Sequence, residues 1–125
     1  MTFTDAVKDA MLELLDETGG TVDITHISLH TGDPGTTGAD EVTGGSYARQ
    51  SVTWAAASGG VKSNSAQLVF QVPSGTTITH VGGWDASTSG NFRGGGPLAQ
   101  SQAFATSGSY TIEVGDLDIT ITDGA

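Results

Sequence analysis

The chain has 125 residues, no cysteine, 19 glycines and a formal net charge of -10 at pH 7. This length suits one domain with one hydrophobic core. The absence of cysteine excludes a disulfide framework, a thiolate metal site and a thiol nucleophile. Because 14 acidic residues stand against 4 basic ones, the composition argues against nucleic acid as a partner. No apolar run approaches the roughly 20 residues that a membrane-spanning helix needs, so membrane insertion is not expected.

The acidic composition has two interpretations. Lysine and arginine are scarce, while glycine, serine and threonine are frequent. A strongly like-charged surface repels itself at low salt, and this repulsion is screened at high salt. The composition therefore fits a halophilic setting, and the alternative is an ordinary acidic secreted or virion protein.

Residues 3–17 carry the one helical pattern of the sequence. Thr2 or Thr4 is expected to cap the first turn, and the Gly-Gly pair at 19–20 provides a stop. The apolar stripe must be buried either against the rest of the domain or against a neighbouring subunit. All members of this stripe except Phe3 are interpreted as candidate residues for partner contact. Its members lie three or four positions apart: Phe3, Val7, Met11, Leu14 and Leu15.

The sequence after residue 20 alternates between apolar and polar positions, which predicts β-strands. A bulge or strand break is expected near His26, where the alternation changes phase. The runs at 110–114 and 117–121 flank a Gly-Asp pair and predict a terminal hairpin. The other predicted strands span residues 21–25, 27–29, 47–56, 68–72 and 78–84.

These elements indicate a mainly β fold. Short strands separated by glycine, serine and asparagine turns favour an antiparallel sandwich over alternating β-α-β units. The predicted architecture is an N-terminal amphipathic helix (residues 1–20) followed by a jelly-roll-like antiparallel β-sandwich (residues 21–125), in a single domain overall. Trp54 and Trp84 lie in alternating strands and are expected in the core.

Two glycine-rich segments interrupt the strand pattern. Residues 32–46 form a long loop, and loops of this length in compact domains are usually functional or disordered. Residues 87–97 are predicted to form a hairpin tip or a mobile loop. Tyr47, Phe92 and Arg93 adjoin these segments and are therefore further candidates for partner contact.

No residue pattern supports a metal site. His26 and His30 are four positions apart, which is about 13 Å along a strand and too far for one shared ion. Asp33, Asp40 and Glu41 crowd one glycine-rich loop but lack the spacing of an EF-hand. Turn chemistry accounts for Asp33 in its Asp-Pro-Gly context. Cation binding by the loop stays open, and no metal or cofactor is predicted.

Catalysis has little support either. His80 has no serine near it in a nucleophile-elbow pattern. Asp116 and Asp118 lie about 7 Å apart on one strand face, a separation that suits two glycosidase carboxylates. The pair follows a glycine at a turn, however, and is interpreted as a solvated face. We therefore predict no enzymatic activity, and we expect Arg49 to pair with an acidic group.

Several strings of the sequence resemble a family of small structural proteins of tailed viruses, labelled tail fibre or minor tail proteins. The resemblance extends from the helix to about residue 98. It implies a non-enzymatic virion component with a helix and a β-sandwich, and it carries no catalytic residues. The strings are FTDA (3–6), HTGDPGTTGADEVTGGSYARQ (30–50), VTWAAA (52–57), VGGWDA (81–86) and GGGPL (94–98).

These observations together predict a virion structural protein on the tail or the capsid surface, acting by assembly and surface display. The expected partners are other virion proteins and further copies of the chain, with a trimer favoured because virion proteins work in symmetric arrays. A host surface glycan is a further expected partner. The alternatives are a capsid decoration or turret protein and, in a different class, a small carbohydrate-binding module.

Overall fold

The structure is a computed structural model that describes residues 1–122. Helix α1 (Asp5–Glu13) is followed by a single 3-10 turn (Leu14–Asp16). Thr4 caps the helix, because its hydroxyl accepts a hydrogen bond of 3.3 Å from the Val7 N–H, as the sequence predicts. Eight strands follow: β1 (His26–His30), β2 (Gln50–Ser51), β3 (Val61–Ser63), β4 (Leu68–Val72), β5 (Thr76–Trp84), β6 (Phe92–Phe104), β7 (Gly108–Ile112) and β8 (Asp118–Thr120).

The strands form three antiparallel sheets. The largest has the order β2-β1-β5-β6, and the pairs β3-β8 and β4-β7 form two-stranded sheets. Apolar side chains from these sheets meet in one core, which includes Leu29, Phe70, Ile78 and Ile112. The predicted fold class, mainly β and antiparallel with one N-terminal helix, is confirmed.

The alternating pattern predicts the core strands well where one face is buried. In β4, Leu68, Phe70 and Val72 are buried and the residues between them are exposed. Trp54 and Trp84 are also buried, as expected. Strand β1 differs, because four consecutive residues after His26 are buried, so polar side chains of this strand must find partners inside the protein.

One predicted strand is absent from the structure, and another is much shorter than predicted. Residues 21–25 are not a strand, and β1 begins at His26, where the change of phase lies. Of the predicted strand 47–56, only Gln50–Ser51 pairs with β1, and Trp54 adds an isolated bridge to Asn64. The structure adds a strand, Val61–Ser63, that the sequence pattern does not indicate.

The predicted terminal hairpin is wrong. Strand β7 pairs with β4 and strand β8 pairs with β3, so the two runs belong to different sheets. The physical reason is the buried side chain of Asn64. Its oxygen accepts hydrogen bonds from the N–H groups of Gly115 and Leu117, and its NH2 group donates to the Glu113 carbonyl. Asn64 therefore binds the turn between β7 and β8 in a conformation that does not let these two strands pair as a hairpin.

The prediction for residues 87–97 is only partly correct. Residues 87–91 do connect two strands, but Phe92 begins the long strand β6 and pairs with Trp84. Farther along, Ile78 pairs with Gln102 and His80 pairs with Pro97, so residues 98–101 stand opposite one residue of β5. Strand β6 is thus interrupted by a bulge.

Candidate functional site

Helix α1 contacts the rest of the chain through its charged face. Asp9 accepts a hydrogen bond of 2.7 Å from the Gly60 N–H. Glu13 accepts a hydrogen bond of 3.0 Å from the Ala57 N–H and a second one from the Lys62 ammonium. Acidic side chains therefore attach the helix to the segment that leads into β3.

Lys62 is the centre of this attachment and is fully buried. Besides Glu13, its ammonium faces the Asp16 carboxylate at 3.4 Å and donates to the Ala55 carbonyl at 2.9 Å. These three partners match the three N–H donors of a lysine. The pKa of Glu13 lies below its ordinary value, mainly because its carboxylate accepts the hydrogen bond from Lys62.

Because hydrogen bonds of acidic side chains attach this side of the helix to the body of the protein, much of the apolar stripe points outward. Leu12, which lies outside the predicted stripe, is the buried residue of the helix, with 2% exposure. Val7 and Leu14 are 44% and 45% exposed, so the rest of the domain does not bury these two residues, and their burial against a neighbouring subunit stays a prediction. Leu15 does pack against the core. The exposed or half-buried residues that we call the outward face are Ala6, Val7, Ala10, Met11 and Leu14.

The second notable region surrounds Trp84. The Arg49 guanidinium lies 3.7 Å from the centre of the indole, and the Phe92 ring meets it edge-on at 5.1 Å. Gly38 of the long loop lies against the same ring, since a Cβ there would be 2.5 Å from the indole. Cation–π and edge-on aromatic contacts of this kind stabilise a fold. We call these residues, together with Ser28 and His30, the Trp84 cluster.

A chain of hydrogen bonds runs through the interior of the Trp84 cluster. The Trp84 indole N–H donates to the Ser28 hydroxyl at 2.8 Å. Ser28 lies 2.6 Å from His30 Nε2, and His30 Nδ1 lies 2.7 Å from the Ala39 carbonyl. A carbonyl only accepts, so Nδ1 carries the proton and Nε2 accepts from the serine.

This serine–histidine pair is not a nucleophile site. Ser28 and His30 are both fully buried, so no substrate reaches the hydroxyl. Burial also lowers the pKa of His30, which keeps the imidazole neutral and preserves the hydrogen bonds of the cluster. The pair therefore joins the long loop to β1.

Arg49 connects three segments of the chain. It forms two hydrogen bonds of 2.9 Å to the Glu41 carboxylate, which confirms that it pairs with an acidic group. Its remaining nitrogen donates to the carbonyls of Ala86 and Ser89 at 3.1 and 2.8 Å. The guanidinium thus fixes the long loop to the turn that follows β5.

Tyr47 and Phe92, two of the predicted partner contacts, are engaged within the chain. The Tyr47 hydroxyl donates to Glu41 and accepts from the Leu29 N–H, each at 3.0 Å. Burial raises the pKa of Tyr47. Phe92 packs on Trp84 and is half-buried. Their role as partner contacts stays a prediction.

Arg93, the third predicted contact in this region, forms two ion pairs. Its guanidinium lies 3.2 Å from the Asp85 carboxylate and 3.6 Å from that of Asp23. The pKa of Asp85 is lowered, mainly by hydrogen bonds from Asn91 and to a smaller extent by Arg93. Arg93 is half-buried, and its charge is already paired within the chain. Its contact with a partner also stays a prediction.

The acidic residues of the long loop are not gathered into a metal site. Asp33 accepts a hydrogen bond of 2.9 Å from the Gly35 N–H, which is the expected turn chemistry,. Glu41 is used by Arg49. Within residues 1–122, no group of three or more histidine or acidic side chains lies close enough to hold a metal ion. No helix in that part of the chain is long and apolar enough to cross a membrane.

Sequence reasoning missed three residues of these regions. Ser28 shares a strand face with His30, and this spacing is the signal that suggests a buried polar pair. Gly38 gives no signal beyond being one of several loop glycines. Lys62 gives none, because a lone lysine in a short strand is ordinarily solvated.

Two comparisons bear on what the chain is. The family model described as Podophage GP4 fiber I protein gp80 matches residues 3–120. No curated protein matches the chain. The match covers nearly the whole chain and agrees with the tailed-virus resemblance of its sequence strings. The chain therefore belongs to this family of podophage fibre proteins and is a structural component of the virion tail.

Proposed function

We propose that the chain is a subunit of a tail fibre that acts by assembly, without enzymatic activity, and that the outward face of α1 is an assembly surface. The observation that carries this proposal is the orientation of the helix. Its acidic side chains Asp9 and Glu13 contact the body of the protein, and its apolar side chains Val7 and Leu14 are exposed.

This orientation is unusual for an isolated domain, because amphipathic helices normally bury their apolar stripe. Each Å² of apolar surface that a partner removes from water contributes about 25 cal/mol. The outward face contains no charged residue, although the chain as a whole carries a net charge of -10. A second copy is therefore able to approach this face with less like-charge repulsion than elsewhere.

The partner that we favour is a further copy of the chain, in a trimer. Val7, Met11 and Leu14 follow the spacing of four and three positions that packs helices side by side. Cyclic symmetry allows three such faces to meet at one axis. Other virion proteins of the tail are the expected neighbours of this assembly.

The test is the oligomeric state of the purified protein by light scattering. Wild type is expected to be trimeric, and more so as KCl rises from about 0.1 M to about 1 M, where the Debye length falls from ~10 Å to ~3 Å. The double variant Val7→Ser, Leu14→Ser is expected to be monomeric and still folded, because both side chains are exposed in the single chain.

The matched control is Val69→Ser, which changes an exposed valine of β4 and leaves the trimer intact. A wild-type protein that stays monomeric at high concentration, with no partner present, contradicts self-assembly. A double variant that remains trimeric shows that the outward face of α1 is not the interface.

A carbohydrate-binding role has less support in the structure. Sugar-binding proteins present exposed aromatic faces, but Trp54 is buried and its indole N–H donates to the Ile24 carbonyl at 3.0 Å. Trp84 is buried under Arg49 and Phe92. Recognition of a host surface glycan is therefore not assigned to either tryptophan.

A further inference from the structure

Residues 33–39, in the middle of the long loop, lie over the Trp84 cluster, and we call them the lid. The Pro34 ring is fully buried. A Cβ at Gly38 would lie 2.5 Å from the Trp84 ring and 3.0 Å from the Phe92 ring. The lid therefore packs directly on two aromatic rings and hides them from water.

A single hydrogen bond joins the lid to the rest of residues 1–122. Its donor is His30 Nδ1 and its acceptor is the Ala39 carbonyl, at 2.7 Å. The other hydrogen bonds of the lid are internal to it. The base of the lid is fixed separately, because the Thr31 N–H donates to the Asp40 carbonyl at 2.9 Å. The lid thus has a firm base and one polar tie, and the donor of that tie is a titratable side chain.

The hydrogen bonds beneath the lid require His30 to be neutral. Ser28 Oγ accepts from the Trp84 indole N–H and donates its own proton to His30 Nε2. A protonated imidazole carries a proton on Nε2 as well and donates to Ser28 instead of accepting. The serine proton then has no acceptor among the described residues, and a buried donor without an acceptor costs free energy. Because a Cβ at Gly82 would lie 2.7 Å from Nε2 and 2.8 Å from Ser28 Oγ, backbone also packs tightly on this pair.

The groups around His30 also disfavour a positive charge there. Burial is the main cause that lowers its pKa, and Arg49 and His80, its paired residue on β5, act in the same direction. The Ala39 carbonyl and Glu41 act in the opposite direction, but the Glu41 carboxylate is already paired with Arg49. Strand β6 faces the imidazole through an uncharged ring, that of Phe92. The other acidic residues of the loop are exposed: Asp33 and Asp40.

We infer that residues 33–39 form an acid-sensitive lid, which is closed over Trp84 and Phe92 while His30 is neutral and opens when His30 is protonated. Opening lets water reach the imidazolium and accept the serine proton. The base of the lid and the hydrophobic core stay in place, so the change is local. The inference uses no residue of α1 and does not depend on trimer formation.

The experiment measures solvent exchange of the two indole N–H groups of the full-length protein by NMR, from about pH 7.5 to about pH 5.5. The Trp84 N–H is bonded to Ser28 beneath the lid, and the Trp54 N–H, bonded to the Ile24 carbonyl, is the internal control. An imidazole that is protonated only in the open state raises the opening equilibrium constant about tenfold over this range. After correction for the intrinsic pH dependence of exchange, protection is expected to fall about tenfold at Trp84 and to stay unchanged at Trp54.

Two variants assign the effect to one histidine. His30→Gln removes the titrating group, so protection at Trp84 is expected to be independent of pH over this range. His80→Gln is the matched control, because His80 is half-buried beside His30 and its Nδ1 lies 2.8 Å from the Thr79 hydroxyl. This variant is expected to keep the fall in protection at Trp84.

Three results overturn the inference. The first is that protection at Trp84 in wild type stays constant down to pH 5.5. The second is that Trp84 and Trp54 lose protection together, because the whole domain then opens and not the lid. The third is that the fall persists in His30→Gln or disappears in His80→Gln. The first two results and the His80→Gln variant decide the matter even if His30→Gln does not fold.

Discussion

The Trp84 cluster and helix α1 use their side chains in opposite ways. In the Trp84 cluster, polar groups such as Ser28 and His30 are buried and hydrogen-bonded. In α1, acidic groups contact the body of the protein while Val7 and Leu14 lie at the surface. The first region satisfies its polar groups within the chain, and the second leaves apolar side chains exposed to solvent.

The Trp84 cluster is explained by the fold alone, whereas the exposed side chains of α1 are the basis of the assembly proposal. Within residues 1–122, no buried side-chain nitrogen or oxygen lacks a hydrogen-bond partner. The cluster is therefore complete as a structural unit, and nothing in it requires a second molecule. The exposed stripe of α1 has no comparable explanation inside the chain, because burial of apolar surface is what stabilises such a helix.

The largest expected effect comes from Trp84. Trp84→Ala removes a buried ring, its contact with Arg49 and its hydrogen bond to Ser28. We expect a loss of about 3–5 kcal/mol in the free energy of unfolding, measured by urea denaturation. The control Trp84→Phe keeps a ring and loses mainly the hydrogen bond, at a cost of about 1–2 kcal/mol. A loss below that of the control would show that the cluster does not stabilise the loops.

An intermediate effect is expected at the attachment of the helix. Lys62→Met removes the buried ammonium and leaves Glu13 and Asp16, which are 48% and 43% exposed, free to be hydrated. Replacing a buried charge by an apolar side chain of similar size is often close to neutral, so we expect a change within about 1 kcal/mol.

The informative contrast is the double variant Glu13→Gln, Asp16→Asn. It keeps the ammonium of Lys62 buried without a counter-charge, which is the costly way to break such a pair. Its melting temperature is expected to lie below that of Lys62→Met. The opposite order would mean that the lysine stabilises the helix as a charge and not merely as packed volume.

The smallest expected effect is a dependence on pH. Burial lowers the pKa of His30 below its ordinary value of 6.5, so the unfolded chain binds this proton more readily. The stability that the neutral imidazole of His30 contributes is complete above pH 6.5, and it is lost as the pH falls through the lower pKa of His30 in the folded state. The pKa of His26 is also lowered by burial, which adds to the same trend.

Thermal unfolding between about pH 7.5 and pH 5 measures this decline. The pKa values of Glu13 and Asp85 are lowered from 4.5 and 3.8, so their contributions are lost only at more acidic pH. The variant His30→Gln is expected to show a flatter slope over the measured range, whatever its absolute stability. An equal slope in the variant would assign the decline to other groups.

The sequence predicts those parts of the molecule that depend on near neighbours. The cap at Thr4, the alternating strand β4 and the turn at Asp33 each follow from residues a few positions apart, and the structure contains all three. The terminal hairpin failed because Asn64, some 50 positions earlier, binds the turn. The orientation of α1 depends likewise on Lys62, which lies 49 positions from Glu13.

The prediction of a hairpin tip or mobile loop at residues 87–97 is wrong for residues 92–97, and the reason is related. A run of glycines ordinarily disfavours a strand, but Gly94 and Gly95 pair with Gly83 and Gly82 on β5. The stability of that pairing depends on two distant glycine runs that match each other. The strand propensity of single residues does not predict this pairing, because the pairing depends on the neighbouring strand of the sheet.

The same long separations set the order in which the chain folds. The indole of Trp84 binds Ser28, which lies 56 positions earlier, and Arg49 binds carbonyls 37 and 40 positions later. Contacts between residues so far apart form slowly, because a large loop must close before they stabilise anything. During synthesis, the contacts of the long loop and Arg49 with Trp84 and the turn after it therefore form only after the ribosome has passed these residues, whereas α1 meets Lys62 earlier.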